Sequence, residues 1–191
     1  MPKIYAYVDN SNIFIEGCRI SAVNKKLPGA ETLWDAMTNN IVDPSWNIDY
    51  GELYRLIVGA REIGEINLWG SPPPGDSFWK MVEDCGFNVT TFEKNFSHKE
   101  KKVDVAIAHA ITKAAYKNGK IKKGIDIILL MAGDSDFVPV VEDLVSEGHI
   151  VWVVFWNHAG SEIKRKCSKF INIDSYHRAL TEYSQKMKVI R

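Results

Sequence analysis

Neither sign of charge prevails in this chain: 24 Lys and Arg face 24 Asp and Glu, and the net charge is zero. An overall basic field that would gather nucleic acid is excluded, so any basic surface must be local. Cysteine is scarce. Cys18, Cys85 and Cys167 are far apart and odd in number, and neither they nor the five histidines show CxxC or Cys/His zinc spacing. That excludes a disulfide framework and a zinc finger, and a reduced, cytoplasmic protein is expected. Met1-Pro2-Lys3 lead directly into a predicted strand, so no signal peptide is expected. No apolar run is long enough to span a bilayer, and no membrane partner is expected. Repeats and low-complexity tracts are absent. A chain of 191 residues suits a single domain.

What is present is an alternation of short apolar strands and helical patterns. Ile4 to Val8 reads as a strand ending in Asp9-Asn10-Ser11-Asn12, with a helix from about Ile13. Residues 21–47 read as an irregular inserted loop in which Trp34, Met37 and Trp46 pack on the body. Helical spacing returns at Leu53, Leu56, Ile57 and Ala60, and again at Phe78, Met81, Val82 and Cys85. Glu65 to Trp69 and Asn88 to Phe92 read as strands, and Pro72 to Gly75 as a stiff loop. Ile125 to Ala132 is apolar apart from Asp126 and suits a central parallel strand. It runs into Gly133-Asp134-Ser135-Asp136-Phe137, after which a helix follows. Ile150 to Phe155 is another buried strand, Phe170 to Ile173 a last short one, and a C-terminal helix is expected from about Ser175. The rhythm predicts an α/β fold, with a central, mainly parallel sheet flanked by helices in three layers.

In such sheets ligands sit outside the carboxyl ends of the strands. Asp9, Asp134 and Asp136 fall there. Asp104 opens the helix after the basic stretch Lys94 to Lys102, and that helix end lies on the same rim. Its spacing with Ala108, Ile111 and Ala115 sets its carboxylate on the apolar face. Each acid could instead cap its helix or turn. Two carboxylates roughly 5 Å apart repel by about 3 kcal/mol at an effective dielectric of about 20, so four call for a cation. All-oxygen ligands suit Mg²⁺ or Mn²⁺. Such a cluster serves metal-assisted phosphodiester hydrolysis. Ser11, Asn12, Ser135 and Ser161 could orient water or phosphate, or simply cap. Lys101, Lys102 and Lys164 lie in basic stretches beside the rim, and Trp156 could stack on a base.

Three ordered motifs carry a resemblance. They are Tyr7-Val8-Asp9-Asn10-Ser11-Asn12, Lys101-Lys102-Val103-Asp104-Val105, and Leu130-Met131-Ala132-Gly133-Asp134-Ser135-Asp136-Phe137 with Pro139. With the segment from Gly148 to Ile173, which includes Ser161, they resemble the NYN family of PIN-like ribonucleases, the group that includes bacterial LabA-like proteins. The likeness covers about residues 3–175. It implies a Rossmann-like, PIN-like domain, with Asp9, Asp104, Asp134 and Asp136 as metal-binding and catalytic acids and Asn12 as a supporting polar residue. The pattern departs where Lys102 replaces a glycine, where Cys167-Ser168 replaces an Ala-Asp pair, and at the inserted residues 21–47.

The expected function is cleavage of single-stranded RNA with Mg²⁺ or Mn²⁺. The alternative is a catalytically weak RNA-binding or regulatory module on the same scaffold. A haloacid-dehalogenase-type phosphatase would need a second Asp in the Asp9-Asn10-Ser11-Asn12 turn, which is not there. The expected partner is single-stranded RNA, with a homodimer or larger assembly as a further possibility.

Overall fold

The computed structural model describes residues 1–71, 77–92, 101–117 and 119–181. Its centre is a six-stranded sheet: β1 (Lys3–Asp9), β2 (Glu62–Gly70), β3 (Asn88–Thr91), β4 (Ile127–Met131), β5 (Ile150–Phe155) and β6 (Lys169–Asn172). The order is β3-β2-β1-β4-β5-β6, and every neighbouring pair is parallel. Parallel strands need crossovers, and helices supply them. The helices are α1 (Asn10–Asn24), α2 (Leu33–Thr38), α3 (Tyr50–Val58), α4 (Ser77–Asp84), α5 (Lys101–Thr112), α6 (Val138–Ser146), α7 (Ser161–Lys166) and α8 (His177–Leu180). A π-helical turn, Lys113–Lys117, prolongs α5. The expected α/β three-layer fold is therefore the observed one.

The strand order decides where the site falls. The chain moves outward from β1 through β2 to β3, returns to lay β4 on the other side of β1, and moves outward again through β5 to β6. The direction reverses between β1 and β4, and a crevice opens at the carboxyl ends of two strands whose connections leave in opposite directions. β4 is buried at all five positions, and β1 at six of seven, as expected for strands covered on both faces.

Local chemistry sets the element ends. Asp126, the one polar residue of the run 125–132, is buried, accepting Lys3 N–H at 3.0 Å and Lys122 N–H at 2.8 Å. It pins the start of β1 to the entry of β4, and Ile125 lies outside the strand, half exposed. Gly148, with φ +85°, ends α6: its N–H donates to Val145 O and the next N–H, of His149, to Leu144 O. A left-handed stop of that kind favours glycine. After β6 the expected C-terminal helix begins as a 3₁₀ turn, Asp174–Tyr176, followed by the short α8.

The inserted region differs from its expectation. α1 runs on to Asn24, and α2 starts from a capping box in which Thr32 and Asp35 satisfy each other's backbone N–H. Trp46 packs on the body as expected. Its ring stacks on His177 at 5.2 Å and lies where a Cβ on Gly17 would come within 2.4 Å, while Nε1–H donates to Thr181 Oγ1. Trp34 does not pack: it is 74% exposed, and Met37, one turn on, is exposed too. Asp43 ties the segment down, accepting Ser21 Oγ–H at 2.5 Å and Ser45 Oγ–H at 2.7 Å and pairing with Lys25 at 2.6 Å. Burial alone would raise its pKa, but the bonds from Lys25, Ser21 and Ser45 outweigh it and hold the carboxyl below the ordinary carboxylate range.

Candidate active site

Val8 of β1 pairs with Met131 of β4, so Asp9 and the Gly133–Asp136 turn leave the sheet side by side at the reversal point. Asp9 is buried and N-caps α1, with Oδ1 accepting Asn12 N–H at 3.0 Å. Asn12 in turn accepts Gly133 N–H at 2.9 Å through Oδ1. The first turn of α1 is thus bonded to the turn after β4. Gly133 is also held from the far side, because its carbonyl accepts Gly160 N–H at 3.2 Å. A Cβ on Gly133 would stand 2.2 Å from the Phe155 ring, so only glycine fits without movement. A Cβ on Gly160 would stand 2.8 Å from Ser135 Oγ. Three chain segments therefore close over one another here.

Asp134 caps the 3₁₀ turn Ser135–Phe137, its Oδ1 accepting Asp136 N–H at 3.0 Å. Asp134, Ser135 and Asp136 are exposed while Phe137 is buried, so the core anchors the turn and the polar side chains face outward. Asp104 lies in the first turn of α5, and α5 packs on β1 and on the Ser135–Phe137 turn. The buried stripe of this helix is Val103, Ile107, Ile111 and Ala114. Of the stripe expected from the sequence, Ile111 and Ala115 are buried, while Asp104 and Ala108 are half-buried at its flank. Strand alternation puts Tyr5, Tyr7 and Asp9 on one face of the sheet. The Tyr5 hydroxyl donates to Lys120 O, just beyond the π turn, so that face is the one α5 covers. The Tyr7 hydroxyl is buried with no hydrogen-bond partner, and burial, then the charge of Glu65, pushes its pKa far up, so the phenol stays protonated near neutral pH.

The elements bearing the four acids share one rim, but among the described residues no three His, Cys, Asp or Glu side chains gather closely enough to hold a metal ion. The caps engage one carboxylate oxygen of Asp9, with Asn12 N–H, and one of Asp134, with Asp136 N–H. In chemistry the donor set, carboxylates with Asn12 amide and serine hydroxyl oxygens nearby, suits a hard divalent cation.

The other expected residues fall unevenly. Ser11 is half-buried in the first turn of α1, and Ser161 opens α7, exposed. Lys164 donates to Asn157 O and lies 4.9 Å over the Phe170 ring, so its ammonium is already engaged. Lys101 and Lys102 open α5, but their side chains and residues 93–100 lie outside the described residues, as does the loop at 72–76. Trp156 is a correction. It has no exposed surface and its Nε1–H donates to Ile13 O, so no base can stack on it. The apolar run from Ile150 to Phe155 immediately before it was the sign of a core position.

Sequence reasoning missed one cluster beside the turn. Glu16, one helical turn past Asn12, is buried. Its Oε1 takes the Arg19 guanidinium, and its Oε2 lies 2.7 Å from His158 Nε2. Arg19 reaches on to Asn40 Oδ1 at 3.3 Å. Spacings of four and three residues along α1 place Asn12, Glu16 and Arg19 on one face, which is the signal that could have found them.

No helix among the described residues is long and apolar enough to cross a membrane. A comparison with the curated proteins finds no match. Among solved structures, the chain is similar to a protein of unknown function from Vibrio parahaemolyticus, with a TM-score of 0.63 and 15% identity over 91% of this chain and 94% of that one. At that identity the likeness is one of fold. The family model of the NYN domain matches residues 4–174, nearly the whole chain. The chain belongs to the NYN domain family, whose fold is that of PIN-like nucleases.

Proposed function

We propose that this protein is a metal-dependent ribonuclease that hydrolyses single-stranded RNA at the β1/β4 rim. The observation that supports the reading most is the topology. The reversal point of the sheet falls between the strand ends that carry Asp9 and the Asp134–Asp136 turn, and α5, whose first turn carries Asp104, packs on β1 and on the Ser135–Phe137 turn. Asp9, Asp104, Asp134 and Asp136 would hold Mg²⁺ or Mn²⁺. When bound, such an ion supplies Lewis acidity and a water of lowered pKa.

The chain's own residues bind and orient. Asn12, through Gly133, fixes the backbone from which Asp134 and Asp136 project. Ser135, exposed beside Gly160, and Ser161 offer hydroxyls to a phosphate oxygen. Lys101 and Lys102 would attract the RNA backbone, a term that weakens as salt rises. The second reading is a catalytically weak RNA-binding or regulatory module on the same scaffold.

One assay separates the two. Wild type and Asp134→Asn, cleared of host nucleases, are given a labelled single-stranded RNA with Mn²⁺ or Mg²⁺. The first reading expects cleavage by wild type alone. Equal cleavage by both proteins counts against it. Binding without turnover by wild type supports the second reading.

A further inference from the structure

The α1 face that carries Asn12 carries a second grip one turn further on. Glu16 is buried at the wedge between α1 and the turn that follows β5. Its carboxylate accepts from Arg19 on its own helix and from His158 Nε2 at 2.7 Å across 142 positions of chain. His158 belongs to the same short turn as Gly160, whose N–H holds Gly133 O at 3.2 Å and whose missing Cβ leaves room for Ser135 Oγ. Asn12 and Glu16 therefore hold the two sides of one contact: Asn12 bonds the turn after β4, and Glu16 bonds the turn after β5 that closes on it.

We infer that Glu16 and His158 are positioning residues for the rim, acting through Gly160 on the Gly133–Asp136 turn. Neither side chain has to touch substrate. Because an ionised carboxylate only accepts, His158 donates from Nε2. His158 Nδ1 is buried with no hydrogen-bond partner, as is Arg19 Nε. A histidine buried with one nitrogen unpaired is costly to keep, and the bond to Glu16 is what the arrangement gains. Arg19 keeps Glu16 oriented toward His158, and its reach to Asn40 ties the wedge to the inserted segment. Cutting the Glu16–His158 bond releases the post-β5 turn from α1, so Gly160 no longer fixes where Ser135 and the two acids stand.

The kinetic half of this inference rests on the nuclease reading; the geometric half does not. The full-length chain, isotope-labelled, is compared as wild type, His158→Ala and His158→Gln, since a glutamine amide nitrogen can stand where Nε2 stood. Expected are shifted backbone amide resonances at Gly133, Ser135 and Gly160 in His158→Ala, restored in His158→Gln. On single-stranded RNA with Mn²⁺, kcat falls on the order of ten- to a hundredfold in His158→Ala with KM little changed, and returns in His158→Gln. His158→Asn, polar but too short to reach Glu16, replaces the alanine variant if that one does not fold. Unmoved amides, or an unmoved kcat in an active enzyme, overturn the inference. So does a glutamine variant as impaired as the alanine one, because the imidazole itself would then be required. If wild type cuts no RNA, the nuclease reading fails and the amide shifts alone decide the brace.

Discussion

Asn12 Oδ1 and Gly133 N–H meet at 2.9 Å across 121 positions of chain, joining the helix after the first strand to the turn after the fourth. Removing the acceptor strands a backbone donor. Asn12→Ala is expected to cost about 1–3 kcal/mol, the desolvation of an unsatisfied N–H. The loss is read as a lower denaturant midpoint with an unchanged m-value. Faster exchange at the Gly133 amide than at its β4 neighbours should accompany it. Unchanged stability together with unchanged exchange would show that the bond contributes nothing.

Much of this arrangement is legible from residue types. The all-apolar run at 127–132 marks a doubly covered strand. Gly133 marks the exit, and acids after two strand-like runs mark one rim, since parallel strands end on the same side. The contrast between Trp46 and Trp34 is not legible. Trp46 and Trp34 sit in similar polar surroundings, yet Trp46 enters a slot made by Gly17 and His177, which are 160 positions apart and bonded to each other. Such slots depend on tertiary neighbours that no local period encodes. α2 escaped notice because six residues give too few turns for a periodic signal, although its Thr32/Asp35 capping box was there to be read.

Gly133 gives a second test through Phe155. Gly133→Ala brings a methyl group to 2.2 Å from the buried ring, an overpacking expected to cost about 1–3 kcal/mol. The same change in Gly133→Ala/Phe155→Leu should cost less, because the smaller side chain vacates the clash. A double-mutant cycle by chemical denaturation reads the coupling, with contacting residues expected to depart from additivity by about 0.5–3 kcal/mol. Additive costs would place the clash elsewhere.

Acid sensitivity follows from two buried histidines. Burial, against a smaller opposing effect of the Gly17 carbonyl, lowers the pKa of His177 below its ordinary 6.5. Burial, then the nearby Lys123 charge, lowers that of His149. Both are neutral in the folded chain where the unfolded chain begins to take up protons. The unfolded state therefore binds more protons below about pH 6.5, so stability is complete above that pH and declines as pH falls toward the folded pKa values. Denaturant midpoints measured between pH 8 and pH 5 should fall on the acid side for wild type. The decline should be shallower in His149→Phe/His177→Gln. An equally steep decline in the double variant assigns the sensitivity to other groups.

Metal binding can be measured without any RNA. If the rim acids hold a divalent ion in the folded state only, Mn²⁺ at a hundredfold excess over its Kd stabilises the protein by about 2.7 kcal/mol. For a chain of this size that raises Tm by several degrees, at about 2–4 °C per kcal/mol. Asp134→Asn keeps an acceptor for the Asp136 N–H while removing a charge, so it should fold normally and respond little to Mn²⁺. Glu31→Gln, at an exposed acid of the inserted segment, should respond as wild type does. A thermal scan with and without the ion reads all three proteins. An equal rise in Asp134→Asn would locate the ion away from the β1/β4 rim.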